Sequence, residues 1–229
     1  MSIQGFHKLS TVDYPKNPCS VLFHGGCNFK CPYCHNRSLV NEESPPLNRE
    51  DLLFQLRRRK KYIKHICISG GEPTLDKALF NDIQLLKNEG FSIKLDTNGS
   101  NAKVLKDLID HQLIDYIAMD IKTSMDQYHR VSNCSNHTGK IKESIALIKE
   151  SGINYEFRTT FVKGVINWSD LEGVKEMIKG SMRFRIQQGR IDENVLNSHY
   201  PMEQYSIEEM NQISDFFTSS AEEIIKSYK

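Results

Sequence analysis

Short runs of branched and aromatic residues alternate with amphipathic helical patterns, and this alternation constrains the fold more than any other feature. Six strands are predicted, at residues 20–23, 65–69, 91–96, 116–121, 154–160 and 182–187. Repeated strand-then-helix units indicate parallel strands joined by right-handed crossovers. Because six units fall short of the eight in a closed barrel, the sequence predicts an α/β fold of the incomplete (β/α)6 TIM-like barrel type. An open doubly wound sheet is the alternative.

Several helices carry recognisable end signals. Asn48 is placed to cap the N-terminus of the first helix after the first strand, and Gly152 and Gly180 each follow a helical pattern. A last helix is predicted at about residues 206–226, where Met210 and Ile213 supply its apolar face.

The composition is that of a soluble globular protein. The 229 residues are 38% hydrophobic and carry a formal net charge of +1, so nothing favours nucleic-acid binding. We find no apolar run of the ~20 residues that a membrane span needs, and no signal peptide at the start. The sequence predicts a cytoplasmic chain with one domain over residues 1–229, comprising a core at about 17–190 and a helical extension at about 191–229.

Polar clusters follow all six predicted strands. They lie at residues 24–37, 69–73, 96–99, 120–122, 158–160 and 187–190. Because α/β folds place their active sites at the C-terminal ends of parallel strands, these clusters predict one shared pocket.

Three of the six cysteines fall within eight residues, at Cys27, Cys31 and Cys34. In a reducing compartment such a cluster indicates metal binding or catalysis rather than disulfides. Structural zinc takes four ligands, and the candidates for a fourth, His35 and Cys19, are poorly placed. An iron–sulfur cube held by three cysteines instead leaves one iron open for a small ligand.

The Cys-x-x-x-Cys-x-x-Cys motif, with an aromatic residue before the last cysteine, resembles that of the radical S-adenosylmethionine (SAM) enzymes. The segments 10–15 (STVDYP), 26–29 (GCNF) and 31–36 (CPYCHN) are similar to those of one subgroup, the activating proteins of glycyl radical enzymes. The likeness is greatest to the activating protein of anaerobic ribonucleoside-triphosphate reductase. It continues through the segments GGEP, DTNG and DIK and covers about residues 5–190.

The resemblance implies a [4Fe–4S] cluster on Cys27, Cys31 and Cys34 that binds SAM at its open iron. One electron would cleave SAM to a 5′-deoxyadenosyl radical, which takes hydrogen from a glycine of the partner. The residues implied to contact SAM are Tyr33, His35, Gly70, Gly71, Glu72, Lys122 and Arg158. Glu72 would accept from the SAM amino group. A monovalent cation would be held by Asp96, Thr97 and Asp120.

Other interpretations stay open. A radical SAM enzyme acting on a small molecule, similar to 7-carboxy-7-deazaguanine synthase, is the first rival, and a non-catalytic metal-binding protein is the second. The basic run at residues 57–61 is either a solvated helix end or a docking site for an acidic electron donor such as flavodoxin or ferredoxin. Cys19 and Cys67 are expected to be buried thiols, whereas Cys134 lies in a polar loop with no assigned role.

Overall fold

A computed structural model describes residues 2–132 and 137–228, and contacts divide the chain into two compact units. The first unit comprises Met1–Asn28, Ser38–Thr97 and Asn101–Ile117. The second comprises Phe29–Arg37, Asn98–Ser100 and Ala118–Lys229. Cys134 lies outside the described residues, and the single-domain assignment stays a prediction.

The first unit is built on strands that follow one another in chain order. These are β1 (Ile3–Ser10), β2 (Cys19–His24), β3 (His65–Gly70) and β4 (Ser92–Thr97). The pairs β2–β3 and β3–β4 are parallel, as predicted, whereas β1 pairs antiparallel with β2. Strand β1 was not predicted, because its second half, with a histidine and a lysine, is exposed and lacks a strand-like pattern.

Four helices accompany these strands, and the cap of one of them follows its sequence signal. They are α1 (Arg37–Val40), α2 (Arg49–Arg59), α3 (Leu79–Asn88) and α4 (Ala102–Asp110), with a short 3₁₀ helix at Pro73–Leu75. The predicted cap of α2 is confirmed, because the Asn48 side chain accepts hydrogen bonds from the amides of Glu50 and Asp51.

The second unit continues the same pattern. Strand β5 (Tyr116–Asp120) begins in the first unit and ends in the second, followed by β6 (Asn154–Phe161), β7 (Ser181–Gln188) and β8 (Ala221–Ser227). The helices are α5 (Tyr128–Ser132), α6 (Thr138–Glu150), α7 (Leu171–Ile178) and α8 (Ile207–Phe216). Two 3₁₀ helices, Met125–Gln127 and Trp168–Asp170, complete the set. All six predicted strands are therefore present, with bounds shifted by no more than one residue.

The predicted last helix is wrong beyond Phe216. Helix α8 ends there, and residues 221–227 form β8, which pairs parallel with β7. Ile224 and Ile225 are adjacent β-branched residues, which suit a strand better than a helix. The register places Ile224 opposite Phe184, so the tertiary pairing overrides the helical tendency of the neighbouring glutamates. The extension at 191–229 is thus only partly helical.

A buried lysine anchors the interior of the first unit. Lys94 on β4 is 3% exposed, and its Nζ lies 3.0 Å from Asp96 Oδ1 and donates to the Asp13 carbonyl oxygen at 2.6 Å. Burying an ammonium group is costly unless it is paired and hydrogen-bonded. These contacts meet that requirement and fasten the segment after β1 to β4.

We expect Lys94→Met to lower the free energy of unfolding by about 3–5 kcal/mol, because Asp96 would lose its buried cation. Urea denaturation measures the change. The control is Lys106→Met, which breaks an exposed ion pair with Asp110 and should leave the midpoint nearly unchanged. A Lys94→Met protein as stable as the wild type would show that the buried pair does not stabilise the fold.

Candidate active site

The turn after β3 is hydrogen-bonded to the segment that leads into Cys27. Gly71 N donates to the His24 carbonyl at 2.9 Å, and Glu72 N donates to the Gly26 carbonyl at 2.8 Å. Both bonds lie within the first unit and continue the parallel pairing of β2 with β3, whose last register pair is His24 with Gly70. The predicted GGEP segment and the start of the cysteine loop are therefore brought together.

Two glycines are required for this close approach. A Cβ on Gly71 would lie 1.9 Å from the Gly26 carbonyl oxygen, which is backbone and cannot rotate away. Gly70 has φ +116°, a conformation that L residues rarely adopt, and a Cβ there would lie 2.4 Å from the His24 carbonyl oxygen. The glycines thus have a packing reason in addition to the predicted approach of SAM.

Glu72 joins two of the predicted site segments. Its side chain is 1% exposed, and Oε1 accepts from the Thr74 hydroxyl at 2.6 Å and from the Thr97 hydroxyl at 2.8 Å. The same oxygen accepts from the Thr74 amide and so caps the 3₁₀ helix at Pro73–Leu75. Glu72 is held rigidly at the ends of β3 and β4, and its contact with SAM stays a prediction.

Asp96 and Thr97 end β4, close to the same cluster. Asp96 Oδ2 accepts from the Ser69 hydroxyl at 3.0 Å, while Oδ1 faces Lys94. The Asp96 charge is therefore balanced by a lysine of the chain. Its role as a ligand of a monovalent cation, with Thr97 and Asp120, stays a prediction.

In the second unit, the C-terminal part of the cysteine loop is held by the segment after β7. Cys31 and Cys34 share a tight turn, with Cys34 N donating to the Cys31 carbonyl at 3.1 Å. Leu196 N donates to the Cys34 carbonyl at 2.8 Å, and Asn197 N donates to the Pro32 carbonyl at 3.0 Å. No role is predicted for residues 191–200 from the sequence, because backbone hydrogen bonds to a distant loop leave no motif.

His35 is tied to the same segment. Its Nε2 lies 2.7 Å from the Arg190 carbonyl oxygen, and its Nδ1 lies 3.7 Å from Asp192 Oδ1. The ring is thus oriented by two residues that directly follow β7.

Tyr33 has a buried hydroxyl that has no hydrogen-bond partner among residues 2–132 and 137–228. Burial raises the pKa of Tyr33 well above its usual value, although the nearby Lys122 charge opposes that rise. A buried hydroxyl without a partner is costly. It therefore marks a place where a polar ligand group would be stabilising.

Asp120, Lys122 and Arg158 form one ion-paired cluster at the ends of β5 and β6. Lys122 Nζ lies 2.9 Å from Asp120 Oδ2, and Arg158 Nε lies 2.7 Å from Oδ1. Burial raises the pKa of Asp120, but the Arg158 and Lys122 charges outweigh it and hold the pKa well below the usual range. Burial lowers the pKa of Lys122, but the Asp120 charge outweighs that effect and raises it. All three groups stay charged at neutral pH.

The cysteines of the motif form no disulfide with the other described cysteines. Cys27 belongs to the first unit and is half-buried, whereas Cys31 is buried and Cys34 half-buried in the second. Within the described parts of the chain, no group of three or more His, Cys, Asp or Glu side chains is arranged to hold a metal ion. The assignment of the three cysteines to a cluster stays a prediction.

A hydrogen-bonded network at the end of β2, just before the cysteine loop, was not predicted. His24 is buried, with Nδ1 3.4 Å from Asp76 Oδ2, and the amide and hydroxyl of Ser2 both donate to the same carboxylate oxygen. The His24 interaction, aided by Ser2, holds the pKa of Asp76 well below its usual range. His24 is the last residue of β2, so this network fixes the point where the cysteine loop begins. An isolated histidine at a strand end gave no signal for it.

Comparison with known proteins identifies the family. The profile of the Radical SAM superfamily matches residues 21–178. A relative in Methanocaldococcus jannaschii, named "Putative glycyl-radical enzyme activating enzyme", is 38% identical over 191 residues, which is 81% of this chain and 79% of the relative. The pyruvate formate-lyase 1-activating enzyme of Escherichia coli is 28% identical, over 73% of this chain and 69% of its own. The chain belongs to the Radical SAM superfamily.

A solved structure shares the fold. Streptococcus suis SuiB, crystallised with S-adenosylmethionine, superposes with a TM-score of 0.69 at 14% identity, covering 89% of this chain and 48% of SuiB. The predicted α/β class with parallel strands is confirmed, and the likeness agrees with the predicted incomplete barrel. No helix in the part of the chain that the structure describes is long and apolar enough to cross a membrane.

Membership of this superfamily implies a [4Fe–4S] cluster and SAM, and the residue types of the motif are the donors that such a cluster takes. Cys27, Cys31 and Cys34 lie on one short loop, and three cysteine thiolates can hold such a cluster while one iron stays open. In the first unit, the glycine turn fixes Glu72 next to Gly26. In the second unit, the buried Tyr33 hydroxyl, which has no partner in the described part of the chain, offers a polar contact.

We expect Gly71→Ala to weaken SAM binding by at least about tenfold, because the added Cβ would push the turn away from the Gly26 carbonyl. Isothermal titration calorimetry on the anaerobically reconstituted protein measures this. The matched control is Gly139→Ala, since a Cβ on Gly139 meets nothing within 4 Å. Equal SAM affinity in Gly71→Ala and wild type would contradict the close approach.

The depressed pKa of Asp120 leads us to expect that the stability of the protein depends on pH. Its folded pKa is depressed, so its contribution is fully present above the unfolded value of about 4 and is lost as pH falls below it. We expect wild-type unfolding free energy to fall between about pH 5 and pH 2. Asp120→Asn should be less stable than wild type at pH 7 and fall less steeply.

Urea denaturation at a series of pH values measures this, with Asp110→Asn, an exposed carboxylate, as control. Identical slopes for Asp120→Asn and wild type would show that Asp120 does not carry the effect.

Proposed function

We propose that this protein is an activase that cleaves SAM reductively and generates a glycyl radical on a partner enzyme, namely anaerobic ribonucleoside-triphosphate reductase. The names of the relatives support the activase class. The segment at residues 10–15 and the cysteine loop support the particular partner through their resemblance to that subgroup.

The observation that carries the proposal is the hydrogen-bonded contact of the glycine turn with the cysteine loop. Gly71 N and Glu72 N bond to the carbonyls of His24 and Gly26, which directly precede Cys27. The residues proposed to hold the SAM amino group are thereby fixed beside a cluster ligand. A cleavage reaction needs this fixed placement, because only an oriented substrate reacts efficiently.

The proposed roles are assigned to residues of the cysteine loop and of the strand ends. The cluster ligands are Cys27, Cys31 and Cys34, and the contacts to SAM are Tyr33, His35, Gly70, Gly71, Glu72, Lys122 and Arg158. When bound, the reduced cluster supplies the electron that cleaves SAM to a carbon-centred radical. The protein supplies orientation and excludes water.

The side chains suit these roles electrostatically. Glu72 is an acceptor for an ammonium group and is already oriented by Thr74 and Thr97. Lys122 stays cationic because the Asp120 charge lies beside it, and the Arg158 guanidinium is always protonated in proteins, so both can meet the SAM carboxylate or ribose. Water exclusion around Tyr33 would protect a radical from side reactions.

Other parts of the proposal come from the resemblance alone. A monovalent cation would be held by Asp96, Thr97 and Asp120. A flavodoxin or ferredoxin would donate the electron, in the cytoplasm.

The other described cysteines are unsuited to a second cluster. Cys19 and Cys67 are fully buried in β2 and β3. Burial raises the pKa of Cys19 to about 11 and that of Cys67 well above its usual value. Because a thiolate is the form that binds iron, these thiols favour an activator with one cluster.

The test is an electron paramagnetic resonance spectrum of an anaerobic mixture containing reconstituted protein, reductant, SAM and the host's anaerobic ribonucleotide reductase. We expect a glycyl radical doublet that requires both SAM and this protein. The Cys31→Ala variant should give neither doublet nor 5′-deoxyadenosine, because it lacks a cluster ligand. The matched control Cys19→Ala, which removes a buried thiol remote from the loop, should retain both.

The outcomes separate the rival functions. 5′-Deoxyadenosine without a doublet would contradict this partner and favour a small-molecule substrate, as in 7-carboxy-7-deazaguanine synthase. Full activity in Cys31→Ala would contradict the cluster assignment. Bound zinc, or bound iron without SAM cleavage, would favour a non-catalytic metal-binding protein.

A further inference from the structure

A cavity of about 360 Å³ lies in the first unit, away from the predicted site residues. Its lining consists of Lys8, Gln55, Arg58, Arg59, Tyr62 and Ile63. The residues come from β1, from the C-terminal half of α2 and from the connection between α2 and β3. A volume of this size is within the range of small-molecule sites, about 300–1,000 Å³.

The cavity has an unbalanced positive charge. Among the residues that the structure describes, no carboxylate lies within ion-pair distance of Lys8, Arg58 or Arg59. Arg57, which precedes Arg58 in the chain, is instead paired, since its Nη2 lies 2.5 Å from Glu89 Oε1. Three neighbouring cations without an acid repel one another, so an anion in the cavity would relieve that repulsion.

Arg59 gives a second, independent indication. Its Nε is buried and has no hydrogen-bond partner in the described parts of the chain. A buried guanidinium N–H that is left unbonded is costly. Arg59 also lines the cavity. A rotation of its side chain toward a bound phosphate would satisfy that N–H, because adjacent guanidinium N–H groups match two phosphate oxygens.

The cavity lies at the end of the strands opposite to the cysteine loop. Tyr62 and Ile63 precede β3, whose first residue, His65, pairs with Cys19 at the start of β2. The cysteine loop follows His24 at the other end of β2, about 17 Å along the strand. Because electron tunnelling falls steeply with distance, this position does not suit a docked electron donor, the alternative considered for the run at 57–61.

We infer that this cavity binds a small anion with two or more phosphate groups. Lys8, Arg58 and Arg59 would contact the phosphates, Tyr62 offers an exposed ring to any organic part, and Gln55 offers an amide. A protein partner is less suitable, because a stable protein interface buries at least about 1,000 Å² around an apolar centre. The inference does not depend on the proposed activase function.

The test is isothermal titration calorimetry of the reconstituted holoprotein with inorganic tripolyphosphate and, separately, with ATP. Saturating SAM is present throughout, so that ATP cannot report on the SAM site. We expect tripolyphosphate to bind and binding to weaken as salt is raised. The double variant Arg58→Gln/Arg59→Gln should lose at least about tenfold in affinity. ATP binding tighter than that of tripolyphosphate would support the contact with Tyr62.

Two further variants test whether a loss of binding comes from misfolding or from a general reduction of positive charge. Arg57→Gln removes one charge from the same run, but Arg57 is paired with Glu89 and does not line the cavity, so affinity should change less than about twofold. Lys8→Gln removes a cavity cation from a different element and should weaken binding. Formation of 5′-deoxyadenosine should be unchanged in every variant.

Several results would overturn the inference. These are no binding of tripolyphosphate at low salt, equal binding by wild type and double variant, or an equal loss in Arg57→Gln. Binding of an acidic polypeptide such as polyglutamate in preference to tripolyphosphate would overturn it in favour of a protein partner.

Discussion

Two backbone hydrogen bonds, from Gly71 to His24 and from Glu72 to Gly26, fix the geometry on which the rest of the candidate site in the first unit depends. They extend the hydrogen-bonded ladder between β2 and β3 past the ends of both strands. A side chain on Gly70 or Gly71 would collide with the backbone of the residues that follow β2 or end it. The position of Glu72, and through it that of Thr97, follows from this backbone contact.

The chain keeps its buried charges in place in two different ways. Oε1 of Glu72 accepts hydrogen bonds from the Thr74 amide and from the hydroxyls of Thr74 and Thr97, which are neutral donors. Asp120 and Asp96 are instead paired with lysine or arginine side chains. Both arrangements hold polar groups in fixed orientations before any ligand arrives, and such preorganisation is the main electrostatic contribution of a protein to catalysis.

The parts of the fold that sequence predicts well are those where local pattern and tertiary structure agree. Each buried parallel strand is a run of branched residues followed by a polar turn, so β2 to β7 were predicted. Strands β1 and β8 are less regular in pattern, and they form because a neighbour offers an edge. Helix α8 ends at Phe216, whereas the apolar periodicity predicted that it would continue for about ten more residues.

The same distinction holds for the site. Cys27, Gly71 and Glu72 belong to recognisable motifs, and their contacts in the first unit match the expectation that loops after successive strands meet. The network of His24 with Asp76, and the support of the cysteine loop by Leu196 and Asn197, depend on contacts between residues far apart in sequence. Backbone groups are present in every residue, so a bond between two of them has no sequence signature.

The support of the cysteine loop by the segment after β7 has a consequence for how the protein is made. Pro32 and Cys34 receive their backbone partners from Asn197 and Leu196, more than 160 positions later in the chain. At synthesis rates of about 5–20 residues per second, the ribosome needs roughly 8–30 s to add the intervening segment. During that interval these carbonyls have water in place of Asn197 and Leu196. The part of the loop that carries Cys31 and Cys34 therefore reaches its final form only after residues 196 and 197 have been synthesised.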